Sequence, residues 1–244
     1  MGAALITGCN GGLGQKIMEK FAVQGYDIIA CSIGEDEAFL QKCKNLEKEN
    51  NITIIHIIYD STNQESLHFA LHSIEEFEGD ISILVNNAGI NIIKPLFYTE
   101  LEDLHKTFQV NYFSTVLITK KVAEKMIRQG KGSIVNVSSI GSIGHQTGGA
   151  CYDASKAALN QFTVSIAQEL APFGIRVNAV APAPMNTPMF ANMPEKTKKN
   201  LVKSVAFKRA VEPNEVVDLI NFLTSDQSEF ITGQVVRIDG GAII

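Results

Sequence analysis

The sequence is short of paired cysteines, basic stripes and long apolar runs, and each shortage excludes a class of protein. Its four cysteines, Cys9, Cys31, Cys43 and Cys151, follow no paired spacing. A disulfide framework is therefore excluded, and a reduced, cytoplasmic chain is expected. Net charge is −5 with acids and bases interspersed. That leaves no footprint for nucleic acid, where clustered cations must replace the counterions on phosphate. No apolar run approaches the roughly 20 residues that a membrane-spanning helix needs, and no segment reads as a secretory signal. His68 and His72 stand at helical spacing, but no third ligand accompanies them, so no metal is expected. Linkers, repeats and composition breaks are missing as well, and the 244 residues read as a single domain, 1–244.

What is present is a regular alternation. Short apolar runs at 2–7, 27–33, 52–60, 81–89, 133–139, 175–181 and 234–239 read as strands. Between them apolar residues recur at helical spacing, as in the row Leu13, Ile17 and Phe21, which Gly25 brings to a stop. Thr62 with Glu65 predicts a capping box after the third strand, and Thr99 with Glu102 predicts the start of a long helix reaching Gln129. Residues 184–208, rich in Met, Asn, Pro and Lys, read as a loop holding one short helix. Strands buried on both faces and separated by helices make an α/β fold: a doubly wound, parallel, seven-stranded sheet with helices on both faces.

In such a sheet a ligand sits beyond the carboxyl ends of the strands, where the strand order reverses. The first strand ends in Thr7-Gly8-Cys9-Asn10-Gly11-Gly12-Leu13-Gly14 and runs into a helix. Glycines let backbone amides approach a pyrophosphate, and the helix N-terminus favours its charge. The fourth strand ends in Asn86-Asn87-Ala88-Gly89. Those asparagines either satisfy main-chain groups or line a nucleotide pocket. The fifth strand ends in Ser138-Ser139. Tyr152 and Lys156 are one helical turn apart, which suits either a proton-transfer pair or a surface contact.

These motifs, with Asn111 in the long helix and ITGQVVRIDGG at 231–241, resemble the short-chain dehydrogenase/reductase family over essentially the whole chain. The resemblance implies a Rossmann-type domain and an oxidoreductase that interconverts a carbonyl and a secondary alcohol with NAD(H) or NADP(H). It implies a catalytic set of Asn111, Ser139, Tyr152 and Lys156. Tyr152 would be the general acid/base, its pKa lowered by the Lys156 ammonium. Ser139 would donate to the substrate oxygen, and Asn111 would hold a water that relays protons to Lys156. Around the glycine turn the implied cofactor contacts are Gly8, Asn10, Gly12, Leu13 and Gly14. From the other strand ends come Ser32, Asp60, Asn87, Ala88, Gly89, Pro182 and Thr187, with Tyr152 and Lys156 again. Ile140, His145 and Met185 are the implied substrate pocket, within lining segments 90–93, 140–146 and 185–193.

Departures from the family pattern matter too. Ala183 replaces the usual glycine after the proline, and its methyl is expected to crowd the nicotinamide side; Val211 also replaces a frequent glycine. The second strand ends in Ser32-Ile33-Gly34, which offers neither the carboxylate that binds a ribose diol nor a base for a phosphate. The acids Glu35, Asp36 and Glu37 follow, and the choice between NAD and NADP stays open. Among substrates, the resemblance favours 3-oxoacyl thioesters on acyl carrier protein or coenzyme A. Sugars, sugar acids or polyols come second, and a non-catalytic nucleotide-binding regulator third. Phe173 stands where many carrier-protein reductases have a basic residue. A homotetramer built on helices 100–129 and 152–171 is the family expectation.

Overall fold

Every strand of the sheet follows the same logic: an apolar run whose alternate residues face opposite layers of helices. In the computed structural model β1 is Ala3–Thr7, β2 Asp27–Ser32, β3 Ile54–Ile58, β4 Ile81–Asn86, β5 Gly132–Val137, β6 Ile175–Pro182 and β7 Val235–Ile238. The structure describes residues 2–242 apart from Glu35, Gln146 and Pro194, and the side chain of Met189 is also left aside. All pairings among the strands are parallel, in the order β3-β2-β1-β4-β5-β6-β7. The order reverses between β1 and β4, so the crevice that binds ligand in this architecture opens there.

The alternation divides the core. Ala4 and Ile6 of β1 pack with Leu13, Ile17 and Phe21 of α1 (Gly12–Val23), and with α2 (Glu37–Asn50) and α9 (Pro213–Thr224). Ala3 and Leu5 face the opposite layer, formed by α3 (Gln64–Glu76), α5 (Ser114–Gln129) and α6 (Ala150–Leu170). Burial on both faces explains why the strands read as continuous apolar runs. Among the described residues no helix is long and apolar enough to cross a membrane.

Three local expectations change. Asn63, not Thr62, caps α3, accepting from the Ser66 N–H at 2.9 Å. Thr62 instead donates both its N–H and its hydroxyl to Asp60, at 2.8 and 2.7 Å. Likewise Thr99 gives its hydroxyl to the Pro95 carbonyl, and Asp103 closes the capping box by accepting from the Glu100 N–H at 3.0 Å. The long helix is α4 (Leu101–Phe108) and α5 joined through a π-helical turn at Gln109–Phe113. Such insertions recur at functional sites, and Asn111 lies inside this one. The segment 184–208 holds two helices rather than one, α7 (Pro188–Ala191) and α8 (Glu195–Ser204).

Candidate active site

At the switch point the chain ends of β1 and β4 are tied together by one threonine and one asparagine. The Thr7 hydroxyl accepts from the N–H groups of Asn87 and Ala88 at 3.0 and 2.9 Å. Asn87 returns the bond through its side-chain amide, to the carbonyls of Thr7 and Gly8 at 2.9 and 3.2 Å. The two adjacent asparagines therefore differ. Asn87 lines the cleft, whereas Asn86 is buried and donates to Thr119 and Asn136, holding β4 against β5 and α5.

The turn between β1 and α1 depends on its glycines. Gly8 sits at φ +68°, in the left-handed region, and a Cβ on Gly14 would lie 2.1 Å from the Gly8 carbonyl oxygen. Gly11 occupies the N-cap of α1 without a side-chain cap, and the first turn carries no acid. Gly12, Leu13 and Gly14 of that turn line a cleft of about 1100 Å³, and no side chain caps the helix start. A pyrophosphate fits this donor set, since helix N-termini attract anions.

The same cleft is lined by Asn10, Leu13, Ser32 and Asp60 at one end and by Ser139, Tyr152 and Lys156 at the other. Ala88, Gly89, Ile140, His145, Pro182, Met185 and Thr187 line it as well. The Asp60 carboxylate is partly engaged by its two bonds from Thr62. Ala183 lines the cleft as well, and it also packs into a small apolar cluster with Val205, Ala242 and Ile140. Val211 bridges the base of the 184–208 segment, donating to the Pro184 carbonyl and accepting from Asn186. Phe173 is exposed. Glu35 and Gln146 lie outside the described residues.

Tyr152 and Lys156 share a face of α6 as the spacing requires. Lys156 is 3% exposed, and its ammonium donates to the Val137 carbonyl at 2.8 Å. The same nitrogen stands 5.9 Å from the centre of the Tyr152 ring. Burial lowers the Lys156 pKa to about 8. The Tyr152 phenol behaves differently from expectation: burial pushes its pKa up, the Ser139 hydrogen bond pulls it down, and Asp153 pushes it up again. Ser139 accepts from the Gly141 N–H at 3.1 Å, which leaves the hydroxyl proton for another partner.

Asn111 is fully buried and is absent from the cleft's lining. It accepts from the Ile90 N–H at 2.8 Å and donates to the Ile90 carbonyl and the Ser155 hydroxyl, each at 3.0 Å. One acceptor lone pair remains on its Oδ1. Gly89 keeps the space between Asn111 and Lys156 open, since a Cβ there would lie 3.3 Å from both Asn111 Oδ1 and Lys156 Nζ.

Sequence reading overlooked one polar contact at the cleft. The Ser32 hydroxyl lies 2.7 Å from His56 Nε2 on β3. A single imidazole in the otherwise apolar core of ITIIHIIYD was the available signal.

A family model described as enoyl-(acyl carrier protein) reductase matches residues 8–242. The chain belongs to the short-chain dehydrogenase/reductase family. It is therefore a nicotinamide-dependent oxidoreductase acting on carbonyl and alcohol groups. A 3-oxoacyl-[acyl-carrier-protein] reductase from Thermotoga maritima is 36% identical over 242 residues, covering 98% of this chain and 97% of its own. The crystal structure of a 3-oxoacyl-[acyl-carrier protein] reductase from Brucella melitensis superposes with a TM-score of 0.90 at 28% identity, over 99% of this chain and 91% of the other. An NAD⁺-bound xylitol dehydrogenase superposes equally well, TM-score 0.90 at 27% identity, over 98% of each chain. Members of the family with the same fold thus act on different substrates.

Proposed function

We propose that this reductase converts 3-oxoacyl thioesters, carried on coenzyme A or on an acyl carrier protein, to 3-hydroxyacyl thioesters. The observation that carries this reading is the charge on α8. Thr197, Asn200, Leu201 and Ser204 of that helix line the cleft. Lys196, Lys199 and Lys203 follow at helical spacing and are exposed, while Lys198 is occupied with Glu195. A cationic stripe beside the cleft of a chain whose net charge is −5 complements coenzyme A phosphates or an acidic carrier protein.

The chemistry follows from the groups at the nicotinamide end. The bound nicotinamide supplies the hydride in reduction and accepts it in oxidation. Tyr152 gives its phenolic proton to the carbonyl oxygen, and its raised pKa keeps that proton in place through neutrality. Ser139 donates to the same oxygen as negative charge develops. Lys156, titrating at about 8, replaces the proton that Tyr152 loses. Asn111 holds Ile90 and the floor of the site, with Oδ1 directed to the space that Gly89 leaves beside Lys156.

A polyol or sugar dehydrogenase is the second reading, favoured by Phe173 in a position that is often basic in carrier-protein reductases. Initial rates with acetoacetyl-coenzyme A, run beside xylitol and gluconate, separate the two. Saturable thioester reduction with a KM that rises with salt is the expected result. Polyol oxidation without thioester turnover would overturn the thioester reading. We further expect one domain over 1–244, in the cytoplasm, assembled as a homotetramer. Buried, unpaired Cys9, Cys31, Cys43 and Cys151 support a reducing compartment. Exposed Phe97, Leu101, Phe113 and Leu117 along α4 and α5 and the turn before them support assembly.

A further inference from the structure

We propose that Asn160 is a positioning residue for the reaction, holding the turn that aims Ser139 through a hydrogen bond to Ser142. The inference rests on the carbonyl–alcohol chemistry of the family and is independent of the thioester reading. Tyr152, Lys156 and Asn160 follow one another at intervals of four on α6, so they stand in one row along the helix. The first two line the cleft, whereas Asn160 and its partner Ser142 do not. Whatever Asn160 contributes to the reaction therefore passes through a neighbour.

Donor and acceptor counts fix the direction of the bonds. The Ser142 hydroxyl donates to the Ser139 carbonyl oxygen, because a carbonyl can only accept. With that proton committed, Ser142 Oγ can only accept, so the Asn160 atom 2.7 Å away must be the Nδ2 donor. Asn160 Oδ1 is buried and has no hydrogen-bond partner in the protein. An apolar side chain would avoid the cost of that buried acceptor, so the use of this residue lies in its donor. Ser138 adds a second link, with its Oγ 3.3 Å from Ser142 Oγ and 3.4 Å from the Lys156 carbonyl oxygen.

The turn held in this way sets the geometry of Ser139. The Ser139 carbonyl accepts from the Ser142 N–H at 3.1 Å as well as from the Ser142 hydroxyl, which closes the helical turn Ile140–Ser142. Within it the Gly141 N–H donates to Ser139 Oγ at 3.1 Å and so leaves the Ser139 proton for the substrate oxygen. The turn lies hard against α6, since a Cβ on Gly141 would sit 2.2 Å from Asp153 Oδ1. On its other side the Ser138 N–H is tied to the Val180 carbonyl of β6 at 2.8 Å. Asn160 thus couples the helix that bears Tyr152 and Lys156 to the turn that bears Ser139. Without its bond Ser142 is free to rotate away from the Ser139 carbonyl, and the Gly141 N–H loses its fixed direction. Small errors of this kind in the placing of reacting groups are read directly in the rate.

The test is steady-state kinetics on the purified full chain, with whichever of acetoacetyl-coenzyme A, xylitol and gluconate the native protein converts, in two backgrounds: native and Ser139→Ala. Asn160→Leu keeps the size of the side chain and removes the donor. In the native background it is expected to lower kcat about tenfold, the scale of one hydrogen bond read in the rate, with KM and cofactor affinity unchanged. In the Ser139→Ala background it should lower kcat by less than about twofold, because no hydroxyl remains to be aimed and the two effects do not add. Ser142→Ala cuts the same link from the other end, is expected to give the same pair of results, and decides the matter should Asn160→Leu not fold. An unchanged kcat in the native background would overturn the proposal. So would equal losses in the two backgrounds, which would make the bond a support of the fold alone. Conversion of xylitol or gluconate in place of the thioester would overturn the proposed substrate and leave this test intact.

Discussion

The glycine turn after β1 and the segment 184–208 meet across one cleft, and they are built in opposite ways. The turn is backbone: glycines, uncapped amides and a positive φ at Gly8 leave little room for any other residue. The facing segment is side chain: α8 carries exposed lysines on one part of its surface and Thr197, Asn200 and Ser204 toward the cleft. They come close enough that a Cβ on Gly12 would sit 2.9 Å from the Pro188 ring. The difference teaches where each property resides. Binding of a pyrophosphate is fixed by geometry that tolerates almost no substitution, whereas choice of substrate is written in residues that can change without disturbing the fold.

Substitution on the two sides should therefore have unlike consequences. Gly14→Ala drives a methyl against the backbone of Gly8 and Cys9, an overpacking that costs about 1–3 kcal/mol. At about 2–4 °C per kcal/mol for a chain of this size, the melting temperature should fall clearly, and NAD⁺ binding measured by calorimetry should fall with it. An unchanged melting curve would mean that the turn is more adaptable than its contacts indicate.

Lys156 belongs to the rigid side but works against stability. Its folded pKa of about 8 lies below the ordinary lysine value. Below that pH both folded and unfolded chains hold the proton, and the burial penalty is fully present. Between about 8 and 10.4 the unfolded chain keeps a proton that the folded one has lost, so stability from this group rises with pH. Lys156→Met should accordingly stabilise the protein at pH 7, by about 1–3 kcal/mol on the scale of buried-charge replacements, while removing catalysis. Chemical denaturation at pH 7 and pH 10 checks the sign: the advantage of the variant should shrink at the higher pH.

The smallest effect belongs to the facing segment. Lys199→Glu with Lys203→Glu should leave the melting temperature unchanged and raise the KM for acetoacetyl-coenzyme A by about tenfold with little change in kcat. High salt should erase the difference, because both residues are exposed. A fall in kcat at constant KM would place these lysines in the chemistry rather than in substrate capture.

The same contrast explains what was legible in the sequence. The succession of strands and helices, the glycine turn and the i, i+4 spacing of Tyr152 and Lys156 were legible because each follows from a local backbone requirement. Helix caps slipped by one residue where a neighbour competed: Asp60 took the donors of Thr62, and Pro95 took the hydroxyl of Thr99. The upward shift of the Tyr152 pKa was not legible, since it comes first from burial of the phenol in the folded chain and then from its neighbours Ser139 and Asp153. Nor was the contact of Ser32 with His56, which arises only when β2 and β3 align in parallel. The second helix of 184–208 was hidden by a run of polar residues without an apolar face to mark it.

The most direct measurement is the rate of nicotinamide oxidation with acetoacetyl-coenzyme A for the native protein and for Tyr152→Phe, with NAD⁺ binding measured on both by calorimetry. Loss of a positioned general acid lowers rates by about 10²–10⁴-fold, so the account predicts a kcat reduced on that scale with cofactor affinity retained. A Tyr152→Phe variant that turned over at the native rate would contradict it, because the proton would then come from a group other than this phenol.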